Sequence, residues 1–122
     1  MNKPIVLTIK NLPKQSLNLI YAGQHYSKRK KTKDIYKLIV KSQIKKVFPK
    51  DKIYSVAYSF GFKTRPLDTS NTVYMLKMIE DIIFEDDSYK IVPELNIKSF
   101  KAKEDFVEIT INEIQTQLTF NK

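Results

Sequence analysis

Within the stretch Ile53–Phe62, the nine residues from Tyr54 onward alternate strictly between large and small side chains. Successive side chains of an extended chain point to opposite faces, so the large residues share one face and the small residues share the other. The large residues are Tyr54, Val56, Tyr58, Phe60 and Phe62. This pattern predicts a β-strand with one buried face, and the chain must therefore build a sheet around it.

The chain before this strand contains one extended and one helical pattern. Residues 5–10 alternate weakly and predict a first strand, whereas residues 12–33 are polar and irregular. Apolar residues recur every four positions over residues 34–48 and predict a helix. Asp34 in its first turn suits the helix dipole, and Pro49 ends the helix.

Three further elements follow the central strand. Residues 68–84 have helical periodicity, and residues 89–98 and Phe106–Ile114 predict the two strands of a hairpin. Pro93 predicts that the first of these is an edge strand or a bulged strand. The predicted order is β-α-β-α-β-β. We therefore expect one α+β domain over residues 1–122, with two helices packed on a mixed, mostly antiparallel sheet.

The composition narrows the classes of function. Lys and Arg number 22 against 13 acidic residues, and the net charge of +9 favours an acidic partner such as nucleic acid. A lysine-rich surface that binds nothing would have the same composition. The absence of cysteine excludes disulfides, zinc–thiolate sites and thiol nucleophiles, and two glycines in the chain exclude a glycine-rich phosphate loop.

The sequence has no targeting or membrane-spanning pattern. The first ten residues contain no long apolar segment, and no run approaches the roughly 18 apolar residues that a membrane span needs. We therefore expect a soluble cytoplasmic protein that does not contact a membrane.

A basic segment precedes and enters the first predicted helix. It reads SLNLIYAGQHYSKRKKTKDIYKLIV and combines Tyr21 and Tyr26 with five cations. The cations are Lys28, Arg29, Lys30, Lys31 and Lys33. Cationic side chains suit phosphate and aromatic rings can stack on unpaired bases, so the segment predicts a nucleic-acid contact. The alternative is a solvated loop that binds nothing, and we expect His25 to be an ordinary surface residue.

A lysine repeat follows along the first helix. Lys33, Lys37, Lys41 and Lys45 recur every four residues and should form one ridge. Like charges at this spacing repel by a few tenths of a kcal/mol per pair, and a bound polyanion would offset the repulsion. A plain solvent-exposed face explains the repeat equally well.

The second predicted helix has two apolar strips. The core strip contains Leu76, Ile79 and Ile83, and the second strip contains Met75, Met78 and Ile82. A polar stripe comprises Asn71, Tyr74, Lys77 and Asp81. The second strip predicts either deep burial between layers or a subunit contact, and the subunit contact is slightly favoured.

Carboxylates gather around this helix in an otherwise basic chain. Asp68 stands at its start, Asp81 lies near its end, and Glu85, Asp86 and Asp87 follow it. Carboxylates held close together repel each other unless a cation lies between them, and oxygen ligands without His or Cys favour Mg²⁺ or Mn²⁺. The alternative is helix capping by Asp68 and a solvated acidic turn.

Three sequence blocks occur in the order SLNLIYAGQHYSKRKK, RPLDTSN and KMIEDIIFEDDSYKIV. Together they resemble the RusA family of Holliday-junction resolvases, which is common in phages and prophages, over about residues 9–111. The last block carries a Lys-x-x-x-Asp step and then an Asp-Asp pair before a strand. The resemblance implies a homodimeric, Mg²⁺-dependent endodeoxyribonuclease of the bacterial cytoplasm that nicks four-way DNA junctions symmetrically.

The resemblance also implies site residues. Asp68 matches the first acid of the family's Asp-x-Asp-Asn motif and Asn71 matches its asparagine, while Asp87 matches a later metal-binding acid and Lys77 an essential lysine. The implied catalytic residues are Asp68, Asp87 and Lys77. The implied Mg²⁺ ligands, which Mn²⁺ should also accept, are Asp68, Asp81, Asp86 and Asp87. The expected DNA contacts are Lys28, Arg29, Lys30, Lys31, Lys33, Arg65 and Asn71.

Two departures from the family pattern matter. Ser70 stands where the second acid of the motif is expected, and its neutral hydroxyl is a weaker metal ligand. The step from Asn71 to Lys77 is about one helical turn longer than the family's usual gap.

The leading hypothesis is therefore a metal-dependent resolvase of branched DNA. The alternatives are a catalytically weak or inactive DNA-binding module on the same fold, and a phage regulator that acts on a host protein.

Overall fold

A four-stranded mixed sheet is the centre of the fold in the computed structural model, which describes residues 3–114. Its strands are β1 (Ile5–Lys10), β2 (Ile53–Phe62), β3 (Glu94–Lys101) and β4 (Phe106–Ile114). The helices are a short α1 (Asn18–Tyr21), the long α2 (Tyr26–Gln43) and α3 (Val73–Ile83), which follows a 3₁₀ turn over Thr69–Thr72. The predicted α+β class, with two main helices and the order β-α-β-α-β-β, is confirmed.

The strict alternation of β2 is confirmed as a buried face. All five large residues of β2 are buried, whereas Ser55, Ala57 and Ser59 are only half-buried. The rings of Tyr58 and Phe60 stack with centroids 6.1 Å apart. On the neighbouring strand β4, Val107, Ile109 and Ile111 complete the buried face. Both helices contribute buried residues to the same core.

The predicted hairpin between the last two strands is wrong. The sheet order is β1-β4-β2-β3, so β2 lies between β3 and β4, parallel to the former and antiparallel to the latter. Residues 102–105 cross the end of β2, a distance of about 10 Å that four extended residues can span. Two hydrogen bonds hold this crossing in place, since Ala102 N donates to the backbone Phe62 O and Lys63 N donates to the side-chain Asp105 Oδ1, each at 2.8 Å. The edge position predicted from Pro93 is confirmed for β3.

Helix α2 begins eight residues earlier than the sequence predicts. Its first two turns, over residues 26–33, are mostly exposed and therefore lack an apolar period. The N-cap is His25, whose Nδ1 accepts a hydrogen bond from Ser27 N at 3.2 Å. The helix ends at Gln43, earlier than predicted. Ile44 is extended, and the chain continues to Phe48, which forms a β-bridge with Phe84.

The second apolar strip of α3 is buried within this chain. Met75 and Met78 are buried in the common core, and Ile82 packs against it. Deep burial, one of the two predicted alternatives, is therefore what the structure shows for Met75 and Met78. Tyr74, predicted to lie on the polar stripe, is also buried.

Candidate nucleic-acid interface

Helix α2 presents one cation per turn along one side. We define the basic ridge as Arg29, Lys33, Lys37 and Lys41, four residues apart and therefore about 6 Å apart along the axis. The three lysines are exposed and Arg29 is half-buried. Lys45, predicted to continue the ridge, lies beyond the helix, and its Nζ donates to Lys41 O at 3.1 Å.

The other predicted cations of this region do not share that side. At about 100° per residue, Lys28 and Lys31 lie on the side of α2 opposite Lys33, where both are exposed. Lys30 lies near the ridge, and its Nζ is 3.3 Å from an Asp34 carboxylate oxygen. The structure therefore divides the predicted basic segment into a ridge and an opposite surface.

A groove runs between the basic ridge and α3. Two adjoining cavities of about 380 and 300 Å³ occupy it, and Lys33, Met78 and Asp81 line both of them. Lys37 and Lys41 line only the first cavity. The second, which we call the Tyr26 cavity, is also lined by Ile20, Tyr26, Arg29, Lys30, Tyr74 and Lys77.

Three acidic side chains converge on Lys77 at the α3 side of this groove. We call this group the Lys77 cluster, and its members are Lys77, Glu80, Asp81 and Asp87. Lys77 Nζ is 2.5 Å from Asp87 Oδ2, 3.8 Å from Asp81 Oδ1 and 3.9 Å from Glu80 Oε1. Asp87 reaches this point because the chain after α3 turns back along the helix. A Lys at position i meets acids at i+3 and i+4 on the same helix face, which explains the other two contacts.

The Lys77 cluster shifts the proton affinity of its members. Burial raises the pKa of Glu80 to about 7, against the opposing attraction of Lys77, and repulsion by Asp87 and Asp81 adds to the rise. Burial also raises the pKa of Asp81. The hydrogen bond from Lys77 lowers the pKa of Asp87, and the same contact raises that of Lys77. Glu80 can therefore hold a proton near neutral pH while Asp87 stays ionised.

A buried hydroxyl lies beneath the Lys77 cluster. Burial, and then the nearby charges of Glu80, Asp87 and Asp81, raise the pKa of Tyr58 well above its usual value. The Tyr58 hydroxyl has no hydrogen-bond partner within the described residues. The cluster therefore borders a neutral polar group, the Tyr58 hydroxyl.

The remaining predicted site residues lie apart from this cluster. Asp68 is exposed at the start of the 3₁₀ turn, and its carboxylate makes no capping bond and no ion pair within residues 3–114. Helix rise places it about 15 Å along the helix from Lys77. Asp86 instead accepts a hydrogen bond from Ser88 N at 2.8 Å, which shapes the turn after α3.

Arg65, Ser70 and Asn71 belong to the Asp68 end of α3. The Asn71 carbonyl accepts a hydrogen bond from Leu17 N at 3.0 Å, and Arg65 O accepts one from Lys14 Nζ at 2.8 Å. Ser70 is exposed within the 3₁₀ turn. The two halves of the predicted active site therefore lie at opposite ends of one helix.

The described residues do not fit the predicted Mg²⁺ site. Of its four expected ligands, only Asp81 and Asp87 meet, and the ammonium group of Lys77 already lies between them. Within residues 3–114, no group of three or more His, Asp or Glu side chains is arranged to hold a metal ion.

Sequence reasoning missed three members of the site. Glu80 sits in the apolar run MIEDII, where only its spacing of three from Lys77 hinted at a shared face. Periodicity alone placed Tyr58 on one face of its strand and Tyr74 on one face of its helix. Periodicity gives the face of a side chain but not the hydrogen-bond partner of its hydroxyl.

Comparison with known proteins does not assign this chain to a family. A scan against protein-family models and a search of curated proteins found no match for this chain. In the part of the chain that the structure describes, no helix has both the length and the apolar character of a membrane span. The fold and site define the chain as an α+β domain with a basic helical ridge beside an acidic cluster.

Proposed function

We propose that this chain is a DNA-binding domain that holds the sugar–phosphate backbone of branched DNA with the basic ridge of α2. The observation that carries the proposal is the regular placement of four cations on one side of a single helix. Lys37 and Lys41 have no ion pair among the described residues, so their charges are available to a ligand.

The spacing of the ridge supports a polyanion as the ligand. The ridge is about 18 Å long from Arg29 to Lys41, and one strand of duplex DNA carries about five phosphates over that length. Each phosphate that a cation neutralises releases counterions, which makes the binding free energy more favourable at low salt. Four phosphate contacts predict a slope of about −3.6 for log K against log salt concentration.

Binding of a labelled duplex across a salt series tests this proposal. Lys37→Ala combined with Lys41→Ala should weaken binding and reduce the steepness of the salt slope by about 1.8. The control, Lys28→Ala combined with Lys31→Ala, removes the same charge from the opposite side of α2. Equal losses in the two double variants would mean that net charge, not the ridge, attracts the DNA.

A junction-specific endonuclease is the second candidate function. It is supported by the resemblance to the RusA family and by the position of Asp81 and Asp87 beside the ridge. A metal ion there would have to displace the Lys77 ammonium from between the two carboxylates. Incubation with a synthetic four-way junction and Mg²⁺ or Mn²⁺ tests it, with a linear duplex in parallel. Symmetric nicks that disappear in Asp87→Asn but persist in Asp86→Asn would favour the nuclease, whereas tight binding without nicks would favour the binding module.

The two-fold symmetry of a four-way junction favours a homodimer in either case. Because Met75 and Met78 are buried in the core, a dimer would use another surface. Absence of binding to any nucleic acid at low salt would contradict both functions and favour the phage-regulator alternative.

A further inference from the structure

The Tyr26 cavity contains two buried hydrogen-bond donors without partners. The hydroxyl of Tyr74 and the Nε–H of Arg29 are both inaccessible to solvent and unpaired within the described residues. Tyr74 is more than nine-tenths buried, and both side chains line this cavity. Buried donors are nearly always satisfied in folded proteins. A ligand that moves the covering side chains aside would supply acceptors to both donors.

The charges around these donors specify the ligand further. Lys30 and Lys33 line the α2 side of the cavity, so an anionic group is favoured there. The α3 side carries the Asp81 carboxylate, an acceptor for a donor group, beside the Lys77 ammonium that is ion-paired with it at 3.8 Å. The ligand should therefore be anionic at one end and carry N–H groups at the other.

The walls of the cavity suit a flat ring between those two ends. Tyr26 is 68% exposed, so its ring face is open to a ligand, and Ile20 adds an apolar surface. A volume of about 300 Å³ is at the lower limit of ligand pockets. Bases in a duplex are stacked and cannot offer a ring face to Tyr26, whereas an unpaired base can.

We propose that the Tyr26 cavity binds one unpaired nucleotide, with its phosphate on Arg29 and the Tyr74 hydroxyl and its base against Tyr26. An amino group of the base would donate to Asp81. This inference rests on the proposed DNA-binding function and adds a preference for single-stranded or unpaired DNA at the α1 end of the ridge.

Fluorescence anisotropy with a short labelled single strand, and with the same strand in a duplex, tests the proposal. Tyr26→Ala should weaken single-strand binding about tenfold or more through lost stacking. Tyr74→Phe should weaken it about tenfold through a lost hydrogen bond to a charged group. Neither variant should change duplex binding. The matched control is Tyr89→Ala, which removes an exposed tyrosine outside the cavity and should leave both affinities unchanged.

The possible outcomes separate this inference from the proposed function. If the Tyr26 and Tyr74 variants bind both DNAs like the unmodified chain, while the Lys37 and Lys41 variant weakens both, the nucleotide cavity is wrong and backbone binding stands. If the unmodified chain binds neither DNA at low salt, both proposals are wrong. Competition by inorganic phosphate as strong as that by deoxycytidine monophosphate would reduce the cavity to a simple anion site and overturn the proposal. Thermal unfolding of each variant verifies that it is folded.

Discussion

The two main helices lie side by side on the same sheet, yet they differ in how much of each is buried. Of the 18 residues of α2, only Tyr36 and Val40 are buried, whereas seven of the 11 residues of α3 are buried. Helix α2 carries the basic ridge on its exposed side. Helix α3 carries the Lys77 cluster where its packed surface meets the groove.

This difference predicts that α3 contributes mainly to the stability of the fold and α2 mainly to the binding of a charged ligand. Burial of apolar side chains supplies most of the stability of a domain, so substitutions on α3 should mainly affect folding. Exposed cations add little to stability, so substitutions on the ridge should mainly affect ligand binding. The four predictions below test this division, from the largest expected effect on stability to the smallest.

Met75→Asp on α3 should abolish or nearly abolish folding. It places a carboxylate at a site that is 1% exposed, and we expect a loss of about 4 kcal/mol or more in the free energy of unfolding. Leu38→Asp on α2 is the matched control, because Leu38 is 75% exposed, and it should change that free energy by less than about 0.5 kcal/mol. Urea denaturation measures both, and similar losses would contradict the division.

Glu80 should make the stability of the fold depend on pH. Its pKa rises from 4.5 to about 7 on folding, so its contribution to stability is fully present below pH 4.5 and is lost as pH rises through about 7. The shift corresponds to roughly 3 kcal/mol in the free energy of unfolding. Glu80→Gln cannot ionise, so its stability should fall less over this pH range. Denaturation midpoints that fall equally in both proteins would show that Glu80 is not the group responsible.

Removing the Tyr74 hydroxyl should make the protein more stable. That hydroxyl is buried without a partner among residues 3–114, and Tyr74→Phe relieves its desolvation, so we expect a gain of about 1 kcal/mol. The control is Tyr54→Phe, since the Tyr54 hydroxyl donates to Pro49 O at 3.0 Å and its removal should lose about 1 kcal/mol. Melting temperatures should therefore shift in opposite directions. A lower melting temperature for Tyr74→Phe would mean that its hydroxyl has a partner in solution.

Removing the ridge lysines should have the smallest effect on stability. Lys37→Ala combined with Lys41→Ala relieves a like-charge contact worth a few tenths of a kcal/mol, so the free energy of unfolding should change by less than about 0.5 kcal/mol. A thermal melt measures this change beside the DNA-binding assay. A loss above about 1 kcal/mol would show that the ridge also supports the fold.

Local patterns predicted much of the fold. The alternation of β2 and the helical period of α3 identified both elements, because each buries most of one face. The start of α2 was missed because an exposed helical segment has no apolar period, and a histidine N-cap is an uncommon start signal. The prediction of a hairpin was wrong because sequence adjacency does not reveal that β4 pairs with both β1 and β2.

The candidate site was less predictable than the fold. Lys77 and Asp81 were grouped correctly because they are four residues apart on one helix. The same spacing placed Lys33, Lys37 and Lys41 on one side of α2, whereas Lys45 lies beyond the end of the helix. The return of Asp87 to Lys77 depends on the turn after α3, which no periodic pattern describes. The expected meeting of Asp68 with Asp87 came from a family resemblance, and the structure does not bring them together.

The central position of β4 has a consequence for how the domain assembles. Ile111 pairs with Ile5 on one side and with Val56 on the other, so contacts between distant parts of the chain hold the sheet together. During synthesis, β1 leaves the ribosome first but has no neighbour in the sheet until β4 appears. Although β2 can pair with β3 earlier, the four-stranded sheet cannot be complete until β4 has left the ribosome. Because forming such distant contacts is slow, a fragment that contains β4 should complement one that stops before Phe106.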